Sequence, residues 1–183
     1  MDAFEQLVSE ILWMDGYWVR TSVKVELTKE EKREIGRASA PRWELDIVAY
    51  NGRDNLLRVV ECKGFLDSPG VRATGFDGTS PKEANGYKLF NDAELRQVVF
   101  HRLRLQLAQC GACGFDPEVR LSLACGKVYE SGRAKLRAHF QAQGWELWDE
   151  QWLREKLKRM AALGYENQVS AVVAKLLLRG KVE

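Results

Sequence analysis

Alternating and helical patterns of apolar residues divide most of the chain into strands and amphipathic helices. Near the N-terminus, apolar residues recur at helical spacing and predict a helix over residues 2–15. Its apolar stripe consists of Phe4, Leu7, Val8, Ile11 and Leu12. Asp2 is a suitable N-cap for this helix and Gly16 a suitable end. Residues 17–27 are rich in aromatic and β-branched side chains and predict a long strand.

Two further apolar runs, residues 43–50 and 56–63, flank the sequence NGRDN at residues 51–55. An Asn-Gly pair between two strand-like runs is a strong signal for a β-hairpin. The sequence therefore predicts two adjacent antiparallel strands, the second and third of the chain.

Residues 28–42 and 64–90 interrupt this pattern. The first stretch is highly charged, and Thr28-Lys29-Glu30-Glu31 at its start is suited to cap a short helix. The second is rich in Gly and Pro, and a loop of this length inside a compact domain is often functional or mobile. Because it follows the third strand directly, it is positioned to fold over a bound ligand.

The remaining periodic segments are four helices and two strands. The helices are expected over residues 92–109 (capped by Asn91), 131–143, 149–163 and 167–179, and the strands over residues 119–125 and 145–148. A hairpin that leads into a strand–helix–strand crossover gives a mixed sheet flanked by helices. We therefore predict a single α/β domain over residues 1–183, with an αβββαβ core over residues 1–126, a long loop over 64–90 and an α-rich C-terminal extension over 127–183.

Several charged residues lie inside the hairpin strands among apolar neighbours, and three of them stand out. Asp46 is in the middle of the second strand, and Glu61 and Lys63 end the third. Because side chains alternate across a strand, Glu61 and Lys63 should point to one side and Cys62 to the other. Charges in such strands are unfavourable unless they are paired or bind something. They indicate a functional site; the alternative is an ordinary ion pair at a strand end with a polar residue near a turn.

The overall composition limits this interpretation without deciding it. The chain has 183 residues, of which 45% are hydrophobic and 30% charged, as is ordinary for a soluble globular protein. Its net charge of +2 neither demands nor excludes nucleic acid as a partner, so local patches must carry that argument.

The four cysteines do not form a complete metal-binding motif. Cys110 and Cys113 have the spacing of half a zinc site, but no second Cys or His pair follows at a suitable distance. We expect free thiols in a reducing cytosol instead. The acidic N-terminus is unlike a secretory signal and no run reaches the ~18 apolar residues of a membrane span, so we expect a cytoplasmic protein without membrane contact.

Asp46 followed by Glu-Cys-Lys at residues 61–63, on the second and third strands after an N-terminal helix, resembles the PD-(D/E)xK nuclease superfamily. The segments 4–17, 45–49 and 59–64 are similar to its Holliday-junction-resolvase-like and Mrr-like branch. The resemblance implies a restriction-endonuclease-like fold for the αβββαβ core.

This resemblance covers residues 4–125, and the last third of the chain carries no motif of the superfamily. The sequence departs from the pattern directly before Asp46, where Leu45 stands instead of proline, and Pro41 lies five residues before Asp46. The family tolerates this change because that proline performs no chemistry.

The residue types fit the hydrolysis of a phosphodiester, which requires an activated water and a neutralised phosphate. Asp46 and Glu61 lie on adjacent strands and are hard oxygen ligands, so they favour one shared Mg²⁺ or Mn²⁺ over Zn²⁺. The Lys63 ammonium is suited to orient and help deprotonate the water, or to stabilise the transition state. The resemblance further implies the Cys62 backbone carbonyl as a third ligand, and Glu5 as the helix acid that holds a water or a second ion.

Four further residues complete the expected site. Glu44 shares a strand face with Asp46 and is a reserve acid. Gln97 corresponds, in the resemblance, to a polar helix residue of some branches. Arg37 and Arg42 belong to a basic loop that enters the Asp46 strand, where they would clamp phosphates. The alternative for the two arginines is a solvated loop.

The Asp, Glu and Lys set therefore predicts a metal-dependent phosphodiesterase, a DNA endonuclease acting in repair, recombination or restriction. Two alternatives remain: a nucleic-acid-binding domain of the same fold without turnover, and an interaction module whose helical C-terminal third docks a partner. A homodimer is a reasonable expectation, since cutting two strands often uses two sites related by a two-fold axis.

Overall fold

A five-stranded mixed sheet forms the centre of the computed structural model, which describes residues 2–37, 42–164 and 167–179. Its strands, in both chain order and spatial order, are β1 (Trp18–Val25), β2 (Trp43–Asn51), β3 (Leu56–Lys63), β4 (Glu118–Cys125) and β5 (Glu146–Trp148). The pairs β1–β2 and β2–β3 are antiparallel, whereas β3–β4 and β4–β5 are parallel. The predicted α/β class with a mixed sheet is confirmed.

The helices flank this sheet on both faces. They are α1 (Ala3–Met14), α2 (Lys29–Glu34), α3 (Pro81–Ala84), α4 (Lys88–Asn91), α5 (Ala93–Gln109), α6 (Arg133–Gln143), α7 (Glu150–Ala162) and α8 (Val169–Leu178). Two short 3₁₀ helices cover Ala73–Gly75 and Glu130–Gly132. Among the described helices, none has both the length and the apolar character that crossing a membrane requires.

Two hydrophobic clusters pack against the sheet. The first contains the buried side chains of α5 and α6, including Leu103, Leu136 and Phe140, and the second those of α1, α7 and α8. The C-terminal third is therefore not an extension of a core that ends at residue 126. It supplies strand β5 and helices to both layers, because Phe140, Trp148 and the apolar residues of α7 and α8 complete the two clusters.

The start of α1 follows the sequence prediction, whereas that of α5 differs by one residue. Asp2 caps α1 in a capping box with Glu5. Helix α5 is capped by Asp92, whose carboxylate accepts from the Leu95 amide at 2.9 Å. Asn91, expected as this cap, instead donates to the Gly75 carbonyl at 2.8 Å. Asn91 thus ties the segment before α5 together instead of capping the helix.

The segment 64–90 differs most from its prediction as an irregular, mobile loop. It contains the 3₁₀ helix Ala73–Gly75, helix α3 and the start of α4. Its buried Phe76, Tyr87 and Phe90 join an aromatic group, in which the Phe76 ring centroid lies 5.0 Å from that of Phe140. These contacts join residues far apart in the chain, so no periodic pattern in the sequence could indicate them.

The predicted β2–β3 hairpin is present, and Asn51 pairs with Leu56 across its turn. The left-handed residue of the turn is Asn55, with φ of 48°, and not Gly52. The Asn55 side chain accepts from Tyr50 Oη and donates to the Phe115 carbonyl, both at 2.9 Å. The hairpin therefore orders the chain before β4 as well as its own strands.

Candidate functional site

The two hairpin strands stop pairing where the charged residues begin. Their paired register ends at Ile47 and Val60, one position before Asp46 and Glu61. At this point Asp46 Oδ2 accepts the Cys62 backbone N–H at 2.8 Å. The carboxylate of Asp46 thus takes the place of a strand carbonyl and lies between the ends of the two strands.

The opposite neighbour of β2 is also irregular at this position. Strands β1 and β2 pair on both sides of Asp46, but Ser22, which lies across from Asp46 in the register, has a left-handed φ of 51°. Such a conformation is uncommon outside glycine and often accompanies a local change of strand direction. Asp46 therefore lies between an irregular position of β1 and the point where the pairing of β2 with β3 ends.

This distortion changes the position expected for Glu44. Leu45 packs in the same hydrophobic cluster as Val48, whereas Ile47 packs in the other, so the side-chain alternation is interrupted around Asp46. Glu44 is exposed and lies opposite Lys24 in the register. The expectation that Glu44 shares a face with Asp46 assumed a regular strand, and the structure does not support it as a reserve acid.

Glu61 and Lys63 form the ion pair that ends β3. Lys63 Nζ donates to Glu61 Oε1 at 2.5 Å, and the two side chains are 24% and 21% exposed. Cys62 is buried in the cluster of α1 and α7, on the other side of the strand. The predicted alternation of these three residues is confirmed. Burial raises the pKa of the Cys62 thiol, as do the nearby Asp46 and Glu5, so this residue stays protonated and can offer a ligand only through its backbone.

Two carboxyl groups of the site, those of Glu61 and Glu5, have a raised pKa, chiefly because they are buried. For Glu61, burial raises the pKa above its ordinary value of 4.5; Lys63 opposes this rise, while Asp46 and Glu5 add to it. For Glu5, in the first turn of α1, burial again raises the pKa first and the Asp46 carboxylate second. The structure therefore brings Glu5, Asp46 and Glu61 into one electrostatic environment.

Lys63 is positively charged at neutral pH in this environment. Burial acts to lower its pKa, but the facing Glu61 and Asp46 carboxylates raise it above its ordinary value of 10.5. The side chain is therefore an ammonium that can stabilise negative charge and is a poor proton acceptor in this state.

The donor set fits a divalent cation in part. Among the described residues, no three His, Cys, Asp or Glu side chains are arranged to hold a metal ion. Asp46 and Glu61 nevertheless lie directly beyond the last paired position of β2 and β3, and their two carboxyl groups face the single ammonium of Lys63, which leaves one formal negative charge in excess. A hard cation such as Mg²⁺ would relieve that excess, with the Cys62 carbonyl as a further oxygen ligand.

The other predicted residues are not assembled with this group. Arg37 pairs with Asp92 at 3.4 Å and its guanidinium lies 5.4 Å from the Trp43 ring centroid. Arg42 is exposed and pairs with Glu26 at 3.4 Å. Residues 38–41 of the basic loop lie outside the described residues. Gln97 is exposed on α5, between the buried Leu95 and Val98.

All four cysteines lie within the described ranges, and none of them forms a disulfide. Cys62 and Cys125 are buried, Cys110 is exposed and Cys113 is intermediate.

The sequence did not indicate a cavity of about 270 Å³ next to the ion pair. Lys63 lines it together with Arg72, Lys82 and Tyr87 from the segment 64–90. We refer to it as the Lys63 cavity. Its residues have no periodic spacing, so the only signal in the sequence was the position of the segment directly after Lys63.

Comparison of the chain with protein-family models, curated proteins and solved structures finds no match. The functional interpretation therefore depends on the geometry and chemistry of the site.

Proposed function

We propose that the protein is a metal-dependent phosphodiesterase, a DNA endonuclease of the PD-(D/E)xK type acting in repair, recombination or restriction. The observation that carries this proposal is Asp46, inserted between strand ends, next to the Glu61–Lys63 pair. The order of α1, β1, β2, β3, α5 and β4 supports a restriction-endonuclease-like core.

Asp46, Glu61 and the Cys62 carbonyl would hold Mg²⁺ or Mn²⁺, which supplies an activated water and neutralises phosphate charge when bound. The Lys63 ammonium, positioned by Glu61, stabilises the negative charge that develops on the phosphate oxygens. Without a bound metal ion the raised pKa of Lys63 keeps it in the ammonium form that this role uses. Glu5, whose pKa is raised by burial and by Asp46, would accept a proton from water on the α1 side of the site.

A plasmid-nicking assay tests the proposal directly. Wild-type protein with Mg²⁺ or Mn²⁺ should convert supercoiled DNA into the nicked form, and a chelator should abolish the reaction. Lys63→Ala and Asp46→Ala should each lower the rate by about 10³-fold, the scale expected for loss of a group that stabilises transition-state charge. Gel quantification of the nicked form over time measures this effect.

Glu44→Gln is the matched control, because it removes the exposed carboxylate of Glu44, which lies on the same strand two residues before Asp46. This variant should nick at the wild-type rate. Equal nicking by wild type, Lys63→Ala and Asp46→Ala would show that the site assignment is wrong. Circular dichroism of each variant separates a loss of chemistry from a loss of fold.

A second candidate function is nucleic-acid binding without turnover. It is favoured by the short contact between Lys63 Nζ and Glu61 Oε1, because the ammonium then occupies a carboxylate oxygen that would otherwise be open to a metal ion. In that case wild-type protein should shift DNA in a gel without nicking it at any divalent cation concentration.

A further inference from the structure

The Lys63 cavity adjoins the candidate active site through one shared residue. One side chain of its wall, Lys63, is the partner of Glu61. The remaining side chains of the wall come from the segment 64–90 and include Phe65, Arg72, Lys82, Glu83 and Tyr87. A molecule bound at the strand ends would therefore extend into this cavity.

The charge of the cavity favours an anion. Three cations line it, Lys63, Arg72 and Lys82, of which Lys63 is paired with Glu61, and the single carboxylate of the lining is that of Glu83. That carboxylate accepts a hydrogen bond from the Thr74 hydroxyl. Within the described part of the chain, neither Arg72 nor Lys82 takes part in a salt bridge, so both exposed cations are available to a phosphate.

Phe65 is held at the cavity by a strained backbone. Its φ is 43°, which is rare for a residue with a bulky side chain, and the residue is 40% exposed. The chain here is fixed against Gly126, which donates to the Lys63 carbonyl at 3.1 Å. A side chain at Gly126 would lie 2.1 Å from the Gly64 carbonyl oxygen. Strain of this kind persists only where the surrounding structure fixes it, and it is commonly found at functional sites.

A second flat surface lies close to the same residues. The Arg72 guanidinium is 4.5 Å from the ring centroid of Tyr129, whose side chain is 38% exposed. Aromatic rings and arginine planes are the surfaces on which unpaired bases stack in proteins that bind single strands.

The cavity is preformed. Val71 bridges to Val128, and the Val71 amide donates to the Lys127 carbonyl at 3.0 Å. Gly70, with φ of 95°, lets the chain approach so closely that a side chain there would lie 2.7 Å from the Lys127 oxygen. The buried Tyr87 ring packs 4.4 Å from Phe76. A ligand would therefore enter a fixed wall and would not need to order a loop.

We propose that the Lys63 cavity binds one unpaired nucleotide that flanks the scissile phosphate, so that the substrate carries a single-stranded segment at the cleavage point. This inference rests on the proposed function. A volume of about 270 Å³ lies just below the ~300–1,000 Å³ of typical ligand pockets, which suits one nucleotide and excludes a base pair. The cations bind its phosphate, and Phe65 or the Arg72–Tyr129 surface stacks its base.

The test measures binding in the absence of divalent cation, so that its readout does not depend on cleavage. The probes are a fully paired duplex and the same duplex with a single-stranded flap that carries 2-aminopurine at its first unpaired position. Wild-type protein should bind the flap probe at least 10-fold more tightly, by fluorescence anisotropy, and quench the 2-aminopurine. Phe65→Ala and Arg72→Ala should each weaken flap binding by roughly 5- to 100-fold, the range of one base–aromatic stack.

Two exposed residues provide matched controls. Leu66→Ala removes an apolar side chain next to Phe65 that is 67% exposed, and Arg154→Ala removes an exposed arginine of α7, on the other face of the sheet. Both should bind the flap probe like wild type. Phe65→Tyr should retain the quenching, since it keeps a ring.

The two proposals fail in different ways. Equal affinity for flap and duplex, with no effect of Phe65→Ala, would overturn the cavity inference even if the protein nicks plasmid DNA. Tight, Phe65-dependent flap binding supports the cavity inference. If no nucleic acid is then cleaved with Mg²⁺ or Mn²⁺, the proposed endonuclease function falls while the nucleotide-binding role of the cavity stands.

Discussion

Strand β3 carries a half-buried ion pair near each end, and the two differ in how completely their charges are matched. Near its start, Arg58 pairs with Glu146, donates to Tyr17 Oη at 2.9 Å, and lies 5.6 Å from the Trp148 ring centroid. Glu146 also accepts from Ser122 Oγ at 2.8 Å. This pair is enclosed by partners that together satisfy both charges.

At its other end, β3 brings three carboxyl groups around one lysine. Burial and the nearby carboxylates raise the pKa of Glu61, and the same two causes raise that of Glu5. A pair that serves only the fold is expected to have matched charge, as at Arg58. The excess of carboxylate beside Lys63 is instead what a cation-binding site requires before its ion arrives.

The largest effect should come from breaking the matched pair. Arg58→Ala leaves Glu146 without its main partner, and the two side chains are only 14% and 26% exposed. Loss of one member of a buried pair typically costs about 3–5 kcal/mol of unfolding free energy, which urea denaturation measures. Arg104→Ala is the control, since its pair with Asp116 is more exposed and should contribute below about 1 kcal/mol. Similar losses of unfolding free energy in both variants would show that the Arg58–Glu146 pair contributes no more than an exposed pair.

Divalent cation should stabilise the second end of β3 and not the first. At 100 times its dissociation constant, a bound Mg²⁺ or Mn²⁺ adds about 2.7 kcal/mol to the free energy of unfolding. For a chain of this size that corresponds to a rise in Tm of roughly 5–10 °C, measurable by calorimetry. Asp46→Asn should abolish the rise, and Arg104→Ala should keep it. A wild-type Tm that does not respond to either ion would contradict the metal site.

The smallest expected effect is the change in unfolding free energy caused by Glu5→Gln, and it depends on pH. Glu5→Gln preserves the capping box, because glutamine also serves at this position, and removes repulsion with Asp46. It should raise the free energy of unfolding at pH 7 by about 0.5 kcal/mol, the scale of a like-charge neighbour pair.

The sign of the pH effect follows from the raised pKa of Glu5 in the folded state. Since the folded protein holds this proton more tightly, wild-type stability falls as pH rises from about 4.5 through the folded pKa. The advantage of Glu5→Gln should therefore vanish below pH 4.5, where the carboxyl is protonated in both states. An advantage that is constant between pH 4 and 7 would show that the effect is not electrostatic.

The parts of the fold that could be predicted are those with local patterns. The α1 stripe, the hairpin and the Asp46, Glu61 and Lys63 positions follow from helix and strand periods, which involve residues near one another in the chain. Glu5, whose role was implied by the resemblance, lies close enough to Asp46 for the Asp46 carboxylate to raise its pKa after burial does, and its role at the site stays a prediction.

The errors concern contacts between distant parts of the chain. The segment 64–90 is ordered by Phe140 and Val128, and the C-terminal third is built into the sheet by pairing of β5 with β4. Arg37 was assigned to phosphate binding from its charge and its loop, an assignment that stays a prediction, and its pairing with Asp92 joins residues 55 positions apart. The interruption of alternation at Asp46, on which the expectation for Glu44 depends, has no signature in a regular strand pattern.

The strand pairing also has a consequence for the order of folding. Asp46, Glu61 and Lys63 belong to an antiparallel hairpin with a short turn, whereas Leu56 of β3 pairs in parallel with Glu118 of β4, much later in the chain. Closing the longer loop costs more chain entropy, so the parallel pairing is the slower step. The charged strand ends can thus be brought together early, while the Lys63 cavity, which needs residues 127–129, is completed only after β4 has docked.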